Sequence, residues 1–316
     1  MTPVYVDHVG TALGGRAQTV EEAADRGLTR SPAAVLRNAG FVRHHVSEPG
    51  APAYDLARHA VEAIRPALGD VGAIVYATCL PRNGNVGSEA AFRDSRDVKH
   101  LMDFPASRLQ ADFDLDRATV VGLNQQACTG TLGALRIAAA LLRDEPSLDR
   151  ALCVTADRFP DGALYEQAYN LISDGAAACV LSLDRGAYRL LACHAITNGA
   201  LSLASDDEAV GHFFAYSHRV IQQTLSKAGL TMDDIAWVVP QNMNVTAWQI
   251  FARLLCFDFD RVAFPTLPEA AHVISADNLL NLSRITEEGR VQPGERVLLV
   301  MSGFGLNWQC VILERT

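Results

Sequence analysis

Apolar and polar positions switch between two periods along this chain, and the switches mark its elements. Val120–Leu142, VVGLNQQACTGTLGALRIAAALL, passes from a short apolar run through a small-residue turn into an alanine-rich stretch with helical spacing. It predicts a buried strand, a tight turn holding Cys128, and a helix entered through Thr129, Gly130 and Thr131. Ahead of it, Pro3–Val9 predicts a strand, Thr11–Gly15 a turn, and residues 19–30 a short helix. Ser31-Pro32 starts a second helix that stops at Gly40. Tyr54–Leu68 places Leu56, Ala60, Ala63, Ile64 and Ala67 on one helical face, and Val71–Thr78 reads as a buried strand.

Residues 79–112 break the pattern with RNGN and a charged run from Arg93 to His100, which predicts an insertion suited to binding or subunit contacts. Regular strands return at RALCVTADR (150–158) and in NLISDGAAACVLSL (170–183). The order then recurs. Phe213–Gly229 as a helix and Ile235–Val239 as a strand repeat 54–78. Arg261–Phe264 as a strand, 272–286 as a helix and Glu295–Met301 as a strand repeat 118–158. Such repetition predicts a layered α/β protein of two duplicated halves, 1–184 and 185–316. A pseudo-two-fold between them would bring two equivalent strand-to-helix turns together, one holding Cys128 and the other beginning at His272.

Composition narrows the function classes. Of 316 residues, 49% are hydrophobic and 20% charged, a globular balance that argues against disorder. A net charge of −9 with no basic run argues against nucleic-acid binding, so small molecules or proteins are the expected partners. No stretch reaches the ~18 apolar residues of a membrane span, and MTPVYVDHVGTALGG has no basic region leading into an apolar run, so no membrane association and a cytoplasmic location are expected. Seven scattered cysteines fit a reducing compartment, and no CxxC or HxxxH pair implies a metal.

A thiol at a strand-to-helix junction faces unpaired N–H groups and the positive end of the helix dipole, which favours thiolate over thiol. Cys128 therefore reads as a nucleophile or, equally, as a small core residue, since free cysteine is often buried. His272 reads as a general base toward that thiol or toward an attacking alcohol or amine, or as a histidine satisfied by backbone. Asp277 belongs to the following helix and is within reach of orienting His272.

ACTG at Ala127–Gly130 before an alanine-rich helix, the R-HH segment from Arg43 after Gly40, SDGAAACVL at 173–181 and the closing VLLVMSGFGLNWQCVIL resemble the ketoacyl-ACP synthase III family of the thiolase superfamily. The resemblance runs over nearly the whole chain. It implies a five-layered α/β/α/β/α thiolase-like fold, a homodimer, and a cysteine that takes an acyl group from a thioester. It also implies a His and an Asn that support attack by a decarboxylated malonyl thioester. No cofactor is implied beyond the acyl-CoA or acyl carrier protein thioester that serves as substrate. Gly303, Phe304 and Gly305 resemble the family's glycine turn, whose N–H groups would complete an oxyanion hole with that of Cys128.

The departures are informative. In VVPQNMN, Gln241 takes the position of the family's His; it transfers no proton near neutral pH but can donate a hydrogen bond to an oxyanion. Asn242 and Asn244 match the motif's polar tail and are expected to shape the site, although turn chemistry also explains them. Where the family's Asn would fall, in AHVISADN, stand His272 and Val273. The Trp and Arg that grip CoA in housekeeping members fall in SPAAVLRNAG, near Ala34 and near Arg37 or Asn38, so that clamp is missing. Arg37 and Arg43 remain the expected donor contacts, with CoA or with an acidic carrier protein. Three readings follow. One is an acyltransferase of secondary metabolism passing an acyl group from Cys128 to a small-molecule acceptor. The second is a decarboxylating condensing enzyme, and the third a non-catalytic partner subunit. The retained Cys and the missing His–Asn pair favour the first.

Overall fold

The structure, a computed structural model, describes residues 2–168, 170–201, 205–303 and 306–316, with the side chains of 206–210 left aside. Its first half holds β1 (Tyr5–Leu13), β2 (Arg16–Thr19), α1 (Val20–Asp25), α2 (Ala33–Asn38), β3 (Arg43–Val46), α3 (Ala53–Glu62) and β4 (Ala73–Ala77). Then come α4 (Glu89–Ser95), α5 (Pro105–Asp112), β5 (Thr119–Leu123), α6 (Gly130–Asp144), β6 (Arg150–Asp157), the short β7 (Glu166–Gln167) and β8 (Asn170–Leu171), and β9 (Gly175–Ser182). The second half holds β10 (Tyr188–Thr197), α7 (Asp206–Ala228), β11 (Trp237–Pro240), α8 (Val245–Leu254), α9 (Leu267–Ala270), α10 (Asp277–Glu287), β12 (Arg296–Gly303) and β13 (Asn307–Arg315).

The two halves repeat one sheet. Strands β1-β9-β6-β4-β5 pair antiparallel, antiparallel, parallel and parallel in that order. Strands β10-β13-β12-β11 pair antiparallel, antiparallel and parallel, and a parallel bridge from Val238 to Val262 stands where β5 would. The strand expected at Arg261–Phe264 is thus reduced to that bridge. Phe259–Arg261 forms a 3-10 turn instead, opened by the Asp258 carboxylate accepting the Asp260 N–H at 3.0 Å, and little extended chain is left. The half-sheets join where Tyr5 and Val6 of β1 meet Arg189 and Tyr188 of β10, giving one nine-stranded order.

Side-chain alternation sets the layers. In β4, Ala73, Val75 and Ala77 face inward with α6, while Ile74 and Tyr76 face outward toward α3 and α5. In β12, Val297, Leu299 and Met301 face inward, while Leu298 and Val300 face α7 and α8. Helices α6 and α10 share the middle layer, where Leu132, Leu135, Leu279, Leu282 and Ile285 are buried in a single core. Each such side chain contributes roughly 1.5–3 kcal/mol by leaving water. The result is the five-layered α/β/α/β/α arrangement.

Two expectations change. The β5 segment, expected to be buried, is a sheet edge with one neighbour, β4, and Val120 is 40% exposed. Residues 79–112 are more ordered than an irregular insertion: Ser88 Oγ caps α4 by accepting the Ala91 N–H at 3.2 Å, and Pro105 opens α5. Between those helices Val98, Met102 and Phe104 stay exposed.

Candidate active site

The turn Ala127–Thr129 carries Cys128 from β5 into α6. Ala127 takes φ 47°, a left-handed conformation that costs a residue with a side chain about 1–3 kcal/mol and persists only when its surroundings enforce it. The surroundings come from both halves. Thr129 donates to the Gln126 carbonyl through its N–H (3.1 Å) and its hydroxyl (2.7 Å). From β13, Gln309 Nε2 donates to Gln126 Oε1 at 2.8 Å and to Thr129 Oγ1 at 3.0 Å, and Ser275 Oγ donates to the Ala127 carbonyl at 3.2 Å. A Cβ on Gly130 would stand 3.1 Å from Ala77 Cβ and 3.2 Å from Ser275 Oγ. One on Gly303 would stand 2.8 Å from the Gln126 carbonyl oxygen and 3.3 Å from the Cys128 nitrogen. At Gly303 the absence of a side chain lets the end of β12 approach the Gln126 backbone so closely.

The counterpart turn holds His272. Its N–H donates to the Leu171 carbonyl at 2.9 Å, and its carbonyl accepts the Ser173 N–H at 2.8 Å. Ser173 Oγ donates to the Ala270 carbonyl at 2.5 Å, so the SDG sequence serves as the mount for the histidine. Imidazole Nδ1 lies 2.5 Å from Asp277 Oδ2, and the Cys128 side chain is near enough to help hold the proton on the ring. Asp277, the first residue of α10, accepts the N–H groups of Asn242 (2.7 Å) and Val273 (2.6 Å) as well. Burial pulls the His272 pKa down. The charge and hydrogen bond of Asp277, and then those of Cys128, outweigh it and leave the imidazole pushed up to about 10. His272 and Asp277 thus form a hydrogen-bonded imidazole and carboxylate, with the Cys128 thiol beside them.

The other expected residues divide. Gln241 is buried, and its Oε1 accepts the Ser302 N–H at 2.6 Å and the Ser302 hydroxyl at 3.0 Å, which ties its amide to the end of β12. Asn242 does not present its side chain as expected. Its Nδ2 donates to Thr266 Oγ1 (2.9 Å) and the Ala271 carbonyl (2.7 Å), and its Oδ1 accepts from Asn281 (2.9 Å), so it acts through its main-chain N–H on Asp277. Asn244 caps a helix: its Oδ1 accepts the Thr246 N–H at 2.9 Å at the start of α8. Gly303 packs against the Cys128 turn, while Phe304 and Gly305 lie outside the described residues. Arg37 clasps Glu21 through two bonds of 2.5 and 2.7 Å, and Arg43 pairs with Glu269 at 3.2 Å. Each guanidinium expected to meet a donor is therefore already matched by a carboxylate.

Cys79 was missed by the sequence reading. Its Sγ lies 4.0 Å from Cys128 Sγ, on the loop after β4. Asp157, buried at the end of β6, fixes that loop by accepting from Thr78 Oγ1 (2.6 Å), the N–H groups of Cys79 (2.9 Å) and Leu80 (3.1 Å), and Asn83 Nδ2 (3.0 Å). Burial pushes the Asp157 carboxyl up to about 6 against the pull of these donors. The repeat held the signal, because Cys79 follows β4 as Gln241 follows β11. Both thiols, and Phe159, pack against a buried apolar cluster that includes Phe41, Tyr165, Leu171 and Ile274. Among the described residues no three His, Cys, Asp or Glu are grouped to hold a metal, and no helix is long and apolar enough to cross a membrane. A surface concavity of about 390 Å³ at Asp7, His8 and Arg150 lies at the opposite end of β6 from Asp157.

Two half-sheets of matching strand order, with a cysteine at the entrance of one middle-layer helix, are the arrangement of a thiolase-superfamily protein. Residues 124–199 match the family described as 3-oxoacyl-[acyl-carrier-protein (ACP)] synthase III, and 225–315 match its C-terminal part. The beta-ketoacyl-[acyl-carrier-protein] synthase III of Rhizorhabdus wittichii is 28% identical, over 98% of each chain, and that of Wolbachia pipientis wMel is 22% identical over 89% of each. Solved structures share the fold. ChlB3, described as an acyltransferase, superposes with a TM-score of 0.83 at 21% identity, covering 99% of this chain and 98% of its own. The synthase III from Pseudomonas aeruginosa PAO1 gives 0.80 at 21% identity over the same shares. This chain is a ketoacyl-ACP-synthase-III-like member of the superfamily.

Proposed function

We propose that the protein is an acyltransferase that loads an acyl group from a thioester onto Cys128 and passes it to a hydroxyl or amine of a small molecule. One observation carries the reading. Where the synthase family would keep a His and an Asn for decarboxylation, this chain has an anchored glutamine, Gln241, and a histidine, His272, that is paired with Asp277 and lies near the thiol. Attack on a carbonyl needs a nucleophile, one base oriented by a third group, and an oxyanion donor, whereas decarboxylation needs donors that stabilise an enolate.

In this mechanism the Cys128 thiolate attacks the thioester carbonyl while the Cys128 N–H, beside Gly303, faces the oxyanion. The tetrahedral adduct collapses, and the departing thiolate takes the proton held on His272. Acylated Cys128 carries no charge, so part of what raised the imidazole pKa is gone. Neutral His272 then removes the acceptor's proton as the acceptor attacks the acyl-Cys128 carbonyl, and Cys128 leaves as thiolate beside the imidazolium. Asp277 holds the ring and its charge throughout. The donor is a CoA or carrier-protein thioester, and the exposed β5 edge with the apolar residues of 98–104 fits a homodimer, which light scattering tests.

Intact-mass measurement after incubation with a panel of acyl-CoA and acyl-carrier-protein thioesters tests the loading step. The expected result is a single acyl adduct, lost in Cys128→Ala and discharged by an alcohol or amine acceptor. An adduct that persists in Cys128→Ala removes this reading, and carbon dioxide release from a malonyl thioester with carbon–carbon bond formation replaces it with a condensing enzyme.

A further inference from the structure

We infer that Cys79 is a resolving thiol: when a hydroperoxide oxidises Cys128, the two sulfurs join in a reversible disulfide that shields the nucleophile from further oxidation. The juxtaposition is the 4.0 Å between the two Sγ atoms. Both residues lie on turns rather than inside strands, Cys79 beyond the end of β4 and Cys128 before α6, and both are only partly buried, so a small peroxide can reach them. Closing to the ~2.05 Å of a disulfide needs a shift of about 2 Å, within the range of side-chain rotation and loop adjustment. Another pair supplies the contrast. Cys153 and Cys179 stand opposite each other in β6 and β9, but both are buried within the sheet, where no oxidant arrives.

The chemistry balances. The Cys128 thiolate attacks the nearer peroxide oxygen, the O–O bond breaks, and the departing alkoxide or hydroxide takes a proton from His272, leaving Cys128 sulfenic acid. Cys79 sulfur then attacks the Cys128 sulfur. The S–O bond breaks, and the hydroxide leaves as water with the Cys79 proton. The two thiols have lost two electrons and the peroxide has gained them; a dithiol reverses the change. Charge favours this order. The hydrogen bond to Cys128 is the largest cause holding the Cys79 thiol well above its ordinary pKa, with burial second. A sulfenic acid at Cys128 is neutral, so the anionic neighbour is lost and Cys79 becomes easier to deprotonate when it is needed.

The purpose of the switch rests on the proposed acyl-Cys128 chemistry, while the linkage itself rests only on the thiol pair. The reduced full-length protein is treated with hydrogen peroxide, then mapped by non-reducing proteolysis and intact mass. The expected product is lighter by two hydrogens, carries a Cys79–Cys128 linked peptide, cannot be acylated, and recovers with dithiothreitol. In Cys79→Ser the same treatment should drive Cys128 to the sulfinic acid, with a loss that dithiothreitol does not reverse. The inference is overturned if wild type gains two oxygens at Cys128 without linkage, or if Cys79→Ser recovers as fully as wild type. Linkage in a protein that no thioester acylates removes the acyltransferase reading alone. Acylation without linkage removes only this inference.

Discussion

His272 Nδ1 and Asp277 Oδ2 lie 2.5 Å apart, across the start of α10, with both residues buried. The carboxylate holds the ring through Nδ1, and two main-chain donors, Asn242 and Val273, fix the carboxylate. A general base contributes ~10²–10⁴ to rate, so His272→Ala is expected to lower acyl transfer by that factor. Asp277→Asn keeps the shape but removes the charge, and should lower transfer by ~10²–10⁴ as well. Single-turnover acylation and discharge measured separately would check this. Wild-type rates in His272→Ala would rule out the base assignment and point to an acceptor that arrives already deprotonated.

The same pair makes stability depend on pH. An ordinary histidine titrates near ~6.5, and this one is pushed up to about 10, so the folded state holds the proton more tightly than the unfolded chain. The stabilisation is therefore complete below about pH 6.5 and is lost as pH rises through about 10. Its size is on the order of a few kcal/mol. Unfolding free energies from denaturant titrations between these limits should fall more steeply for wild type than for His272→Gln. Equal slopes in the two proteins would mean that the pair is not charged.

Gly303 of β12 packs against the turn that carries Cys128. An added methyl group would stand 2.8 Å from the Gln126 carbonyl oxygen, a backbone atom that cannot rotate away. Gly303→Ala is therefore expected to displace the Cys128 turn, cutting acylation at least tenfold and costing about 1–3 kcal/mol of stability. Acylation rate and melting temperature measured on one preparation check it. A normal rate would show that the turn yields without disturbing Cys128.

Much of this was legible in the apolar periods and their repetition. The duplicated order placed His272 opposite Cys128 because the repeat unit, not local sequence, fixes that meeting, and Asp277 followed five residues along. Local chemistry misled where one residue type serves two ends. Asn242 and Asn244 sit in a polar post-strand turn; here the Asn244 side chain caps α8, while that of Asn242 bonds Thr266, Asn281 and the Ala271 carbonyl. The exposure of β5 was not legible because an apolar strand reads alike in the centre and at the edge of a sheet; pairing partners decide. Cys79 escaped because its nearness to Cys128 spans 49 positions and depends on the parallel pairing of β4 with β5.

Gln241 occupies the loop after β11, in the position that the sequence resemblance assigns to the synthase family's histidine. Its carbonyl oxygen accepts from Ser302, at 2.6 Å from the N–H and 3.0 Å from the hydroxyl. An imidazole in the same place can accept from the Ser302 N–H through one ring nitrogen and turn the other toward the site. Gln241→His should therefore leave loading of Cys128 within about threefold of wild type, a change of under about 1 kcal/mol in the barrier. Carbon dioxide release from a malonyl thioester should rise by a larger factor, because a second donor then faces the enolate beside His272. Radiolabelled malonyl thioester with trapped carbon dioxide, run beside intact-mass acylation, separates the two effects. Should the substitution depress acylation as strongly as His272→Ala, Gln241 itself contributes to the acyl-transfer step and the division of labour argued here is wrong.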